Sequence, residues 1–226
     1  MNQQISRFVS KAVAKLRYDF WDAPRGRGRS PGKDLWDDQF RSGSWNGLGV
    51  AGEVAHYAIL AAYAPYLHPS PDILDVGCGQ GELVKHLKLR GFNSYLGIDL
   101  SSEAVQQAAA SHACEKIHFV SANLDSWTTE QTFDLIIFNE SLYYSREPAA
   151  TLERYATYLR APAEGGLLIS MCEYGNHEII WRQIEKKYSP VFSTRVENEN
   201  AQAWNIKGFK TTGPRGCAQG SPMASS

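Results

Sequence analysis

Three glycines at spacing two, Gly77, Gly79 and Gly81, stand in the run Asp75-Val76-Gly77-Cys78-Gly79-Gln80-Gly81-Glu82. Glycine lets a backbone turn tightly and approach a ligand closely. Asp99 follows 18 residues after Gly81, and a carboxylate at such a place can accept the hydroxyls of a ribose. A nucleoside-bearing ligand is implied. The dinucleotide fingerprint G-x-G-x-x-G needs its third glycine where Glu82 stands, and Asp75, just before the first glycine, would repel a pyrophosphate. The same carboxylate can anchor an ammonium group, directly or through water. An amino-acid nucleoside with an ammonium, a sulfonium and a ribose, S-adenosylmethionine, fits that charge pattern better.

A second set of candidates follows the apolar run Phe133 to Phe138. Glu140 is a candidate general base for a hydroxyl acceptor; equally, it only hydrogen-bonds backbone or orients the substrate. Tyr143 and Tyr144 line a pocket or stabilise a cation near the sulfonium, with one of the two packed in the core. Glu173, Tyr174 and His177 lie where substrate loops occur, and His177 reads better as a surface histidine.

These residues need a scaffold that brings strand ends together. From Asp72 onward strands and helices alternate: Ile73–Val76, Ser94–Ile98, Ile117–Val120, Phe133–Phe138 and Leu167–Met171 read as strands. Gly81–Leu89, Ser101–His112, the stretch marked by Leu152, Tyr155 and Leu159, and Ile179–Lys187 read as helices. Ser101 is the expected N-cap, with Glu103 in the first turn. Val191–Val196 and Ala203–Phe209 read as a closing hairpin. Such alternation predicts an α/β, Rossmann-like, doubly wound and mostly parallel sheet with helices on both faces. Ligands of such sheets sit at the carboxyl ends of the strands.

In this setting the glycine run resembles motif I of the class I S-adenosylmethionine-dependent methyltransferases. Leu96-Gly97-Ile98-Asp99 is similar to their acidic second-strand motif, and Phe119 to Leu124 to their adenine-binding stretch. Phe133 to Glu140 resembles motif IV, and Gly165-Gly166-Leu167-Leu168 the turn before the fifth strand. The resemblance covers roughly residues 50–210, and it implies a seven-stranded sheet. It also implies that Asp75, Gly77 and Gly79 hold the methionine end and Asp99 the ribose, with Cys78 and Asn139 also among the cofactor-binding residues. Leu100 would pack on the adenine, with Asn123 and the Leu124 amide at its amino edge. Asn123 stands where many relatives carry Asp, yet its carbonyl oxygen still accepts a hydrogen bond. Glu140 and Tyr143 are the catalytic candidates, and no metal is implied. Trp36 to Trp45, Asn139 to Tyr144 and Trp204 to Lys207 resemble a subgroup of small bacterial methyltransferases acting on small metabolites or glycan building blocks.

Composition bounds the partners. The chain has 226 residues, 43% hydrophobic and 21% charged, with 23 basic and 24 acidic side chains. That is ordinary for a globular domain. The longest apolar run, Ala58 to Leu67, is too short for a membrane span. Four cysteines without metal spacing predict free thiols in a reducing cytoplasm. Charge is uneven: residues 1–33 carry eight basic and two acidic residues, a net +6, which leaves −7 for residues 34–226. The first part reads as an amphipathic helix docked on the protein, with a transit peptide as the weaker reading. Arg25 to Gly32 reads as a mobile, solvated loop.

The expected division is 1–49 as a substrate-side lid, 50–210 as the cofactor-binding domain and 211–226 as a disordered tail. A small anionic acceptor, such as a sugar or nucleotide-linked sugar, would suit the +6 segment, with the protein a monomer or homodimer. A nucleic-acid or protein substrate and a non-catalytic cofactor-binding module are the alternatives. Nucleic acid lacks a recognisable binding module here.

Overall fold

The structure, a computed structural model, describes residues 15–29, 31–160 and 165–211. Seven strands form one sheet: β1 (Asp72–Val76), β2 (Ser94–Asp99), β3 (Ile117–Ser121), β4 (Leu135–Asn139), β5 (Gly166–Cys172), β6 (Pro190–Glu197) and β7 (Ala203–Lys210). Their order is β3-β2-β1-β4-β5-β7-β6. The first five run parallel, while β7 is antiparallel to both β5 and β6. The order reverses at β1, which pairs with β2 on one side and β4 on the other. A crevice at that switch point is the expected ligand site.

Among the described residues six α-helices accompany the sheet: α1 (Lys33–Arg41), α2 (Ala51–Leu67), α3 (Glu82–Leu87), α4 (Ser102–His112), α5 (Pro148–Ala156) and α6 (His177–Glu185). Successive strand residues point to opposite faces, and β4 shows the result. Leu135 and Ile137 join the core under α2 and α3, while Ile136 and Phe138 join the core under α5 and α6. The strand is therefore apolar throughout, as one covered on both faces must be. Ser101 caps α4 as expected, its Oγ accepting from the Ala104 amide at 3.1 Å. α2 carries Pro65 inside its last turn and runs on to Leu67.

The N-terminal segment differs from expectation. Most of the proposed amphipathic helix lies outside the described residues. Arg25 to Gly32 is not a free loop where it is described, because its backbone is strapped onto the domain. Asn176 Nδ2 donates to the carbonyls of Ala23 and Arg27 at 3.3 and 2.9 Å, and the Arg29 amide donates to Tyr143 O at 3.1 Å. A Cβ on Gly28 would lie 2.0 Å from Ser145 O, so only glycine allows this approach. Two of this segment's three arginines are occupied as well. Arg27 pairs with Glu147 at 2.8 Å, and Arg25 lies 3.9 Å over the Trp21 ring.

At the other end Thr211 is buried and belongs with the folded part, whereas the rest of the expected tail lies outside the described residues. Cys78, Cys114 and Cys172 are unpaired. Among the described residues no helix is long and apolar enough to cross a membrane.

Candidate functional site

A cleft of about 1240 Å³ opens at the carboxyl ends of the parallel strands. Every site residue expected from the sequence lines it: Asp75, Gly77, Cys78, Gly79, Asp99, Leu100, Asn123, Leu124, Asn139, Glu140 and Tyr143.

The loop after β1 is held in a shape that side chains oppose. Gly77, Gly79 and Gly81 have φ of 81°, 52° and 80°. A Cβ on Gly77 would sit 2.3 Å from Ser141 Cβ, and Ser141 Oγ in turn donates to Val76 O. The amides of Gly77 and Cys78 both donate to Ile98 O, at 2.8 and 3.0 Å. Cys78 thus spends its amide on β2, and its thiol packs over Gly97. Asp99 ends β2 with both oxygens accepting from backbone: Oδ2 from the Gly79 amide at 2.9 Å, Oδ1 from the Ser101 amide at 2.8 Å. One carboxylate therefore links the glycine loop to the start of α4.

Asp75 is 1% exposed. Its Oδ2 accepts from Tyr95 OH at 2.6 Å, while Oδ1 has no partner. Burial pushes this carboxyl up to about 7. Asn139 Oδ1 is likewise buried without a partner. Two unmatched acceptors beside a glycine cradle fit a ligand with hydrogen-bond donors and positive charge, as the ammonium end of S-adenosylmethionine is. Asn123 Oδ1 already accepts from the Asp125 amide at 2.8 Å, which leaves its second lone pair for an adenine amino group.

Glu140 is set apart by its backbone. At φ 55° it is one of two described non-glycine residues in the left-handed region, a conformation that concentrates at functional sites. Its amide donates to Ser170 O at 3.0 Å, which fixes the turn after β4. The side chain accepts from Tyr143 OH at 3.0 Å and from Ser170 Oγ at 3.3 Å. Burial pushes the carboxyl up to about 8, against the lowering effect of those two hydrogen bonds. A carboxyl titrating near neutral pH is suited to move a proton.

Above the cleft lies an aromatic roof. Trp36 meets Trp45 at 5.7 Å and Tyr144 edge-on at 5.0 Å, which joins α1 to the loop after β4. Phe40 packs under Trp45 at 6.1 Å. Both Tyr143 and Tyr144 line the cleft, so neither is simply core. Glu173 and Tyr174 reach it too, but Glu173 is paired with Arg195 at 2.7 Å. His177 lies apart, half-buried in a separate groove with Glu178 and Arg182, its Nδ1 buried without a partner.

Sequence reasoning missed the α2 side of the cleft. Glu53, His56 and Tyr57 line it, and His56 stacks on Trp204 at 4.7 Å. The available signal was a glutamate and a histidine three residues apart in an otherwise apolar helix. The expectation of an anionic acceptor gains no support from the described lining of the cleft. Seven carboxylates line the cleft against two cations, Lys15 and Arg29, and other arginines of the basic segment are held by Asp22, Glu147 and Trp21. Among the described residues no group of acids, histidines and cysteines could hold a metal ion.

Comparison with known proteins agrees with this architecture. A family model described as a methyltransferase domain matches residues 52–203. Over 104 residues the chain is 36% identical to a tRNA1(Val) (adenine(37)-N6)-methyltransferase of Escherichia coli O157:H7 (strain EC4115 / EHEC), covering 42% of each chain. The alignment thus spans less than half of that relative's length. Among solved structures, the N-methyltransferase NodS from Bradyrhizobium japonicum WM9, in complex with S-adenosyl-L-homocysteine, is similar with a TM-score of 0.69 at 16% identity, over 79% of this chain and 97% of that one. The magnesium protoporphyrin IX methyltransferase ChlM from Synechocystis PCC 6803, with bound S-adenosylmethionine, has a TM-score of 0.61 at 18% identity, over 79% and 96%. At such identities the likeness is one of fold.

Proposed function

The chain belongs to the class I S-adenosylmethionine-dependent methyltransferases, and from that premise we propose that it methylates an oxygen or nitrogen of a small metabolite bound beside Glu140. The observation that carries the acceptor reading is the Glu140 carboxyl, turned by a left-handed backbone into a cleft roofed by Trp36, Trp45 and Tyr144. In this reading Asp75 and Asn139 hold the methionine end and Asp99 the ribose. Leu100, Asn123 and Leu124 take the adenine. When bound, the cofactor supplies an electrophilic methyl group on a sulfonium.

Three things are left to the chain's own residues. The first is positioning: fixing nucleophile and methyl near contact distance supplies roughly 7–11 kcal/mol of the barrier. The second is exclusion of water, for which α1 and the strapped segment before it serve as the lid. The third is the acceptor's proton, which Glu140 takes with Tyr143 OH and Ser170 Oγ donating to it. Hydroxyl acceptors such as sugars, and amines, are both covered by this reading. The net −7 of residues 34–226 speaks against a nucleic-acid surface. Unpaired thiols fit a reducing cytoplasm.

Calorimetry tests the first layer, with binding of S-adenosylmethionine and S-adenosylhomocysteine and none of nicotinamide dinucleotides expected. Mass spectrometry of metabolite extracts incubated with enzyme and deuterated methyl donor tests the second. Label appearing only in RNA or protein would reject the small-molecule acceptor.

A further inference from the structure

Resting on the methyltransferase reading, we propose that Glu53, His56 and Glu140 form a subsite for a primary or secondary ammonium, so that the acceptor is a cationic amine methylated on nitrogen. The argument begins with charge. Of the cleft's carboxylates, Asp19 is exposed to solvent, Glu82 is matched by Lys85 and Glu173 by Arg195. Asp75 and Asp99 lie on the cofactor side. Glu53 and Glu140 line the same cleft, and among the described residues neither forms an ion pair with a lysine or arginine. Burial pushes both carboxyls up, and the charge of Glu53 adds to the push on Glu140. A buried carboxylate without a cation is a costly arrangement, and a cationic ligand relieves it.

His56 supplies the independent observation. It is 1% exposed, and neither ring nitrogen has a hydrogen-bond partner. Stacking on Trp204 at 4.7 Å and a tilted contact with Tyr57 at 4.1 Å fix the ring, and Glu53 lies 4.0 Å from its Nδ1. Burial pushes its pKa down to about 3, so it brings no positive charge. A neutral imidazole keeps one acceptor nitrogen. Two carboxylates and that nitrogen make three acceptor groups, and a primary ammonium offers three N–H donors, whereas a hydroxyl offers one. An anionic acceptor would have to lose its water beside Glu53 and Glu140 and would favour their protonated forms, leaving Glu140 unable to take a proton.

The chemistry balances. The bound ammonium gives one proton to Glu140. The freed nitrogen lone pair forms the new carbon–nitrogen bond as the carbon–sulfur bond breaks, and that bond's electron pair stays on sulfur. The positive charge passes from sulfur to the methylated nitrogen, and Glu140 returns its proton to solvent when the cleft opens.

The test separates extract by charge. Small metabolites from the source cells are split by strong cation and strong anion exchange. Each fraction is incubated with the full chain and trideuteromethyl donor, and is also added to the S-adenosylhomocysteine complex in a thermal-shift assay. The expected result is label on nitrogen in the cation-retained fraction, with that fraction alone raising the melting temperature. Glu53→Gln should lower labelling at least tenfold while S-adenosylhomocysteine affinity stays within twofold, which also certifies its fold. Label in the neutral or anion-retained fraction, or in none, overturns the amine proposal. Failure of the wild-type chain to bind S-adenosylhomocysteine would instead be a failure of the methyltransferase reading.

Discussion

The Asp37 carboxylate on α1 accepts a hydrogen bond from Ser101 Oγ at 2.7 Å, at the point where Asp99 and Ser101 join β2 to α4. Ser101 thereby couples two jobs, since the same oxygen caps α4 through the Ala104 amide. Asp37 also takes Lys33 Nζ and the Glu103 amide. On the same helix Trp36 meets Tyr144, beside Tyr143 and Glu140. One short helix thus spans from beside Asp99 to beside Glu140.

Removing this anchor should loosen the roof while leaving the sheet intact. Asp37→Ala is expected to speed amide hydrogen exchange throughout α1 and to raise the acceptor KM severalfold more than it changes cofactor affinity. Acid should act similarly. The hydrogen bond from Lys33 holds the Asp37 carboxyl well below the usual carboxylate range. Its folded pKa is depressed, so its contribution is present above about pH 4 and lost as pH falls below that. Fluorescence of the Trp36 and Trp45 region on acid titration checks this, and an identical transition in Asp37→Asn would count against the anchor.

Ligand-free stability should fall between about pH 6.5 and 8.5. Asp75 and Glu140 have raised pKa values, about 7 and about 8, so the folded state binds the extra protons. Their contribution is complete below the ordinary carboxylate value and is lost as pH rises through 7 and 8. His56 acts in the opposite sense, its neutral folded form gaining stability as pH rises from about 3 to 6.5. Above that only the loss remains. Thermal melts across pH should show the decline, and S-adenosylmethionine, by supplying cations, should stabilise more at pH 8 than at pH 6. A melting temperature flat across that window would refute it.

What was readable in the chain is what repeats or clusters locally. Leu135 to Phe138 announces a doubly covered strand, and Gly77, Gly79 and Gly81 with Asp99 announce the cofactor site. The roof anchor was not readable, because Asp37 and Ser101 are 64 positions apart and neither belongs to a periodic pattern. The same holds for Asn176, whose partners in the strap lie 153 and 149 positions away. The Arg/Gly composition of that strap pointed to solvent, yet Gly28 is there for close contact with Ser145. His56 was hidden in an apolar helix because a histidine's role depends on what faces it across the cleft.

Gly77→Ala should destabilise the fold by about 2–5 kcal/mol, adding the left-handed penalty to overpacking against Ser141. The conformation, φ 81°, and the 2.3 Å approach to Ser141 Cβ both oppose a methyl group. Urea denaturation measures the loss, and Gly77→Ala in a Ser141→Gly background should recover only the packing share.

Asp99→Ala should weaken S-adenosylhomocysteine binding at least about tenfold, the equivalent of 1.4 kcal/mol. Besides the expected ribose bonds it releases the Gly79 and Ser101 amides, so the glycine loop should loosen too. Tyr95→Phe should have a related effect at the other end, since it leaves Asp75 with neither oxygen matched. Calorimetry on folded variants decides both, and unchanged affinity in Asp99→Ala would show that the ribose is held elsewhere.

Glu140→Gln keeps the shape of the side chain and removes its proton chemistry. If Glu140 takes the acceptor's proton, turnover should fall by roughly 10²–10⁴, the usual contribution of a positioned base, while cofactor affinity barely changes. The wild-type rate should rise with pH as the carboxyl ionises, because only the ionised form accepts a proton. Without ligands that carboxyl titrates near 8, and a bound sulfonium favours the ionised form, so the limb should appear at or below 8. Tyr143→Phe offers an independent lever. Tyr143 OH donates to Oε2 at 3.0 Å and holds the pKa down, so its removal should move the limb to higher pH without abolishing it. Three pH–rate profiles then separate the possibilities. A limb at or below 8 in the wild type, shifted upward in Tyr143→Phe and absent in Glu140→Gln, assigns the proton to Glu140. A limb that persists in Glu140→Gln, or a loss below about tenfold, would leave Glu140 as an orienting group and give the titration to the acceptor itself.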